Sequence, residues 1–220
     1  MTGGALSFLN QLKSQASALQ NQQTEQVRNL EANSAKTNLA CQSVWHYLGD
    51  LARQLNVIEP AGPKFSLDGR TYWPAMKLCD FRVDTRKKKL RDKEVYDYIS
   101  MGWQIVPQSG VPLEGVVSVN FPPDLERVQK RLAFGGVTYE RKEQRHPEKD
   151  KPQAIVFEYQ TQARGYLTVT ADHDEAQLAF RLANANGFEI VNTSWPAERI
   201  QVDLLDELAK LIVAQPSKFV

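Results

Sequence analysis

Between Gly4 and Gly49 the chain contains neither glycine nor proline. At ordinary usage of roughly 7% Gly and 5% Pro, a stretch of that length would carry about five such residues. Their absence predicts helix, since every residue there tolerates helical dihedrals and keeps its backbone donor. The apolar spacing agrees. Leu9, Leu12, Ala16 and Leu19 recur at intervals of three and four, Leu30 follows, and Val44, Leu48, Leu51, Leu55 and Ile58 resume the pattern. A second row of Cys41, Leu48 and Leu55 gives the later segment a broad apolar face, predicted to dock on a sheet through Trp45, Leu48, Leu51 and Leu55. The earlier segment has only a narrow seam, so residues before Gln20 are expected to be separable from the core.

That seam is weak in its middle. Gln23 and Gln26 stand where a heptad continued from Leu9 would place apolar side chains, in a region rich in amides. The sequence therefore allows either one long helix or a helical hairpin broken near residues 21–24. The continuous helix is preferred because no turn residue is available.

All 11 prolines lie at or after Pro60. Residues 1–59 read as a helical arm and docking helix, and residues 60–220 as an α+β antiparallel-sheet domain with helices packed on one face. Asp68-Gly69 and Asn186-Gly187 mark tight hairpins. Strands are expected over 65–67, 71–73, 76–83, 95–106, 116–120, 137–142, 154–170 (bent or split around Arg164-Gly165), 177–183 and 188–195. Pro122 and Pro123 open a helix that Gly135-Gly136 closes, and a last helix over 203–214 buries Leu205, Leu208, Leu211 and Ile212 before Pro216. Short turns between successive strands exclude a doubly wound nucleotide-binding fold.

The chemistry-bearing motifs are mostly missing. There is no G-x-G-x-x-G, Walker loop, H-E-x-x-H or G-x-S-x-G, so no cofactor and no catalytic residue is assigned and an enzyme is disfavoured. Asp172-His173-Asp174-Glu175 has the residue types of a metal site, but Asx turns explain it better and no metal is expected. His46 reads as a packed or interfacial side chain, His146 as part of a solvated loop, and Cys79 as a buried structural thiol. The two cysteines lack metal or redox spacing. No basic leader or long apolar run suggests export or membrane insertion, so a reducing cytoplasm is the expected location.

One charge feature is sharp. Arg82, Arg86, Lys87, Lys88, Lys89, Arg91 and Lys93 face only Asp84 and Asp92 in the 82–93 segment, whereas the whole chain carries +1. Placed at a hairpin tip between Val83 and Val95, they form a candidate anion-binding patch. From residue 171 onward, acids outnumber bases eight to four, which opposes a polyanion. Strand aromatics allow a base-stacking sheet, although the RNP1 pattern is absent. The expectation is a non-enzymatic interaction or scaffold protein that self-associates or binds a protein partner through its helical arm as a coiled coil. Anion or nucleic-acid binding by the basic hairpin is the second choice, and a ligand or enzyme pocket between sheet and helices the third.

Overall fold

The computed structural model describes residues 8–145 and 152–220. Helix α1 (Phe8–Ile58) is continuous over 51 residues, about 76 Å of helix. The hairpin alternative falls because the amide-rich middle still propagates helix without a breaker. After it come β1 (Met76–Leu90), β2 (Lys93–Pro107), β3 (Glu114–Val119), α2 (Pro122–Gly135), β4 (Tyr139–Arg145), β5 (Pro152–Gln160), β6 (Ala163–Asp172), β7 (Gln177–Ala183), β8 (Ile190–Pro196) and α3 (Val202–Ile212). The fold is α+β, and every strand pairing among the described residues is antiparallel.

These strands divide between two sheets, ordered β1-β2-β6-β7-β8 and β3-β5-β4. The expected strand over 154–170 accordingly becomes two, separated at Thr161-Gln162 rather than at Arg164-Gly165. β5 joins the small sheet and β6 the large one. In the large sheet Ile99, Met101, Trp103, Leu167, Val169 and Phe180 share the buried face, on which the later half of α1 packs. The opposite face keeps Tyr98, Ser100, Tyr166 and Thr168 partly accessible.

Two expected hairpins differ in detail. Residues 65–73 form a turn closed by the single bridge Ser66↔Tyr72 rather than two strands. Gly69 takes φ +82, as a turn after Asp68 requires. Around Asn186-Gly187 the connection is wider than a two-residue loop: β7 ends at Ala183 and β8 begins at Ile190, with Asn184 buried at φ +61. The Asn184 side chain donates to the Phe134 and Arg164 carbonyls at 2.9 and 2.7 Å, tying α2 to the sheet.

Asp68 organises its turn. Its partial burial works against the charge, but backbone N–H groups of Thr71 and Arg70 and the hydroxyls of Ser66 and Thr71 donate to it and hold its pKa at about 2, below the ordinary 3.8. A lowered folded-state pKa contributes stability above the unfolded value, and that contribution fades as pH falls from about 4 to about 2. Asp68→Asn is therefore expected to lower stability at neutral pH and to flatten its dependence across that window. Urea titrations at a series of pH values would show it, and parallel curves for the two proteins would refute it.

Gly165 sits directly opposite Trp103 in the β2–β6 register. A Cβ there would fall within the Trp103 indole, which is itself buried and stacked on Phe81 at 5.7 Å. Gly165→Ala is expected to cost about 1–3 kcal/mol by overpacking, whereas Gly49→Ala, with no neighbour near its Cβ, should be neutral or stabilising. Denaturant unfolding of the pair checks this.

Candidate functional site

Residues 8–29 of α1 are exposed throughout. Phe8 is 74% accessible, and Leu9, Leu12, Leu19 and Val27 are also open. This free arm amounts to roughly 33 Å of helix. Burial begins at Thr37 and continues through Ala40, Cys41, Val44, Leu48, Ala52 and Leu55. Trp45 and Leu51 are half-buried against the core and Ile58 is exposed, so docking rests on the Cys41, Leu48, Leu55 row together with Val44. Burial pushes the Cys41 thiol up to about 12, which makes it inert at neutral pH.

Polar side chains fix the helix where it meets the sheet. Asn33 Nδ2 donates to the Asp174 carbonyl at 2.7 Å, and the Tyr96 N–H donates to Asn38 Oδ1 at 3.3 Å. Lys36 pairs with Glu198 at 2.5 Å. Farther along, the Tyr47 hydroxyl donates to Asp206 at 2.6 Å; burial and this carboxylate raise its pKa and keep it protonated. Asn56 both donates to the Phe81 carbonyl and accepts from its N–H, which satisfies the peptide groups left over by the β1 bulge at Asp80. Sequence reading noted the amides only where Gln23 and Gln26 interrupt the apolar seam and did not single out Asn56. The available signal was an amide beside each apolar row of a docking helix.

His173 lies beneath this junction at 3% exposure, with Nε2 2.7 Å from the Tyr96 carbonyl. Asp172 Oδ1 accepts from the N–H groups of Asp174 and Glu175, the expected Asx turn. The acids point to solvent while the imidazole points inward, and among the described residues no group of three or more His, Cys, Asp or Glu side chains converges on a metal position. His46 is exposed on α1, not packed, because it falls on the side away from the sheet. His146 is outside the described residues. Cys79 is half-buried rather than fully buried, at the edge strand.

The basic cluster lies along the distal end of the β1–β2 hairpin, with Arg82, Arg86, Lys87, Lys88, Lys89 and Lys93 on strand and Arg91 in the turn. β1 runs on to Leu90 and β2 starts at Lys93, with Arg91-Asp92 turning at φ +47 and +63. Arg82 pairs with Asp80, Arg86 and Lys88 with Asp97, Lys87 with Glu94, Lys89 with Asp92, and Arg91 with Asp174. The Arg91–Asp174 contact links the hairpin tip to the β6–β7 turn. Next to it, α1 and the hairpin flank an open groove of about 470 Å³ lined by Ala35, Leu39, Leu90 and Val95, with Glu31, Arg91, Lys93 and Glu94 as its charged residues. No histidine or cysteine lines it. No described helix is long and apolar enough to cross a membrane. No family model, curated protein or solved structure matches the chain.

Proposed function

We propose that this chain is a non-enzymatic interaction protein whose α1 arm, residues 8–29, is its association element. The observation that supports this reading is a helix segment exposed at every residue from 8 to 29 that carries Phe8, Leu9, Leu12, Leu19 and Val27 into solvent. Water-exposed apolar surface of that extent is costly to maintain and marks interaction sites. Only Lys13, Glu25 and Arg28 are charged along the arm, which favours an apolar protein surface over a polyanion. Anion binding by the hairpin ranks lower because six of its seven cations already have carboxylate partners. Two free cysteines suit the reducing cytoplasm.

Sedimentation velocity on the full chain and on a version starting at residue 30 tests the proposal. The full chain is expected to sediment as a multiple of 24.9 kDa, and the shortened chain as one folded copy with an unchanged cooperative unfolding transition. Identical assembly states with and without the arm would overturn it.

A further inference from the structure

Of the ten asparagines, Asn186 alone is followed by glycine. Glycine there puts no side chain between its own nitrogen and the asparagine carboxamide, the arrangement that ring closure between them needs. The fold leaves both groups free. Asn186 is exposed, and neither its carboxamide nor the Gly187 N–H has a hydrogen-bond partner among the described residues. Asn184, two residues earlier, is buried and binds the Phe134 and Arg164 carbonyls through its carboxamide. Six other asparagines stand on α1 ahead of larger residues. The bonds from Asn184 N–H to the Glu189 carbonyl (2.8 Å) and from Glu189 N–H to the Gly187 carbonyl (2.9 Å) close the connection around this pair without engaging the nitrogen between them. We infer that Asn186 is a site of spontaneous deamidation in the folded chain, and that its isoaspartate product loosens the joint between the two sheets.

Hydroxide removes the Gly187 N–H proton, and the nitrogen attacks Asn186 Cγ. As the new N–Cγ bond forms, the Cγ–Nδ2 bond breaks and ammonia leaves with a proton from water, which regenerates hydroxide. Water then opens the five-membered imide. Addition at Cγ restores the normal backbone with an aspartate side chain. Addition at the main-chain carbonyl routes the backbone through Cγ as isoaspartate. Both products add one negative charge at an exposed position, but only the second lengthens the main chain, by one methylene. That extra length falls where there is little slack. Gly187 holds φ +85, and a Cβ on it would stand 3.4 Å from the Lys64 carbonyl. The next residue, Phe188, meets Phe65 edge-on at 4.9 Å and Trp73 at 5.3 Å, and its ring fills the space beside Gly135 of α2. Displacing Phe188 therefore disturbs the rings through which the 65–73 turn and the small sheet meet the β7–β8 connection.

Peptide mapping by mass spectrometry tests the chemistry. The full chain is aged in mildly alkaline buffer, folded or in urea, with Asn186→Gln as the control. The peptide holding Asn186 is expected to gain about 1 Da, divided between aspartate and isoaspartate forms, at a rate within about tenfold of that in urea, and the gain should be absent from the control. A folded chain in which Asn186 stays intact or reacts more than about tenfold slower than in urea, or in which another asparagine reacts faster, overturns the site. Urea unfolding tests the consequence. The chromatographically isolated isoaspartate chain is expected to unfold at lower urea than the fresh chain, whereas freshly prepared Asn186→Asp, with the same charge and a normal backbone, should unfold with the fresh chain. An isoaspartate chain that unfolds with the fresh one, or an Asn186→Asp chain that is weakened as much, overturns the link to the sheet joint.

Discussion

Leu48→Ala is expected to lower the unfolding free energy by about 2–5 kcal/mol, while Leu19→Ala on the same helix should move it by no more than about 0.5 kcal/mol. The two leucines lie on nearly the same side of α1 and have similar local spacing. Leu48 is 0% exposed and belongs to the main core; Leu19 is 59% exposed. Truncating Leu48 removes buried methyl groups and leaves a cavity that α1, fixed by Asn33, Asn38 and Asn56, has little freedom to close. Urea unfolding followed by tryptophan fluorescence reads both. A loss below about 0.5 kcal/mol for Leu48→Ala would mean that the helix is not docked as described.

Phe65→Ala is expected to cost about 3–5 kcal/mol. Its ring is fully buried, stacked on Trp73 at 5.6 Å and meeting Phe188 edge-on at 4.9 Å. Trp73 in turn stacks on Tyr159 of β5 at 5.8 Å. These rings connect the 65–73 turn, the β7–β8 connection and the small sheet, with Arg131 of α2 donating to the Ser66 and Leu67 carbonyls above them. Because the cluster joins the two sheets, its loss should also broaden the transition or split it into two. Calorimetry with fluorescence would detect this; one sharp transition with a shift under about 1 kcal/mol would refute the linking role.

The breaker-free run from residue 5 to 48 and its apolar spacing determined that α1 is a helix, and the strand expected over 95–106 was legible as the centre of β2. Such signals are local: they depend on backbone dihedral tolerance and on periods of 3.6 and 2 residues within a single element. Pro122, Pro123 and Gly136 likewise bounded α2, whose C-cap is left-handed at Gly136. The basic residues from Arg82 to Lys93 were legible as a cluster, but not their neutralisation, since Asp97 and Asp174 come to them only through strand register and the β6–β7 turn.

Tertiary structure alone decided where α1 stops being covered. The broad apolar face around Leu48 and Leu55 distinguished them in sequence from Leu12 and Leu19, but the boundary itself, exposed through residue 29 and buried from Thr37, is set by the extent of the sheet beneath the helix. It also assigned β5 and β6 to different sheets, because neighbouring strands are chosen by cross-strand packing such as Trp103 over Gly165, between residues 62 apart in the chain. Likewise it turned His173 inward and its neighbouring acids outward, which no composition of four consecutive residues specifies. Local propensity acts along the chain; coverage and pairing arise from contacts between distant segments, and those contacts determine which apolar face is left exposed.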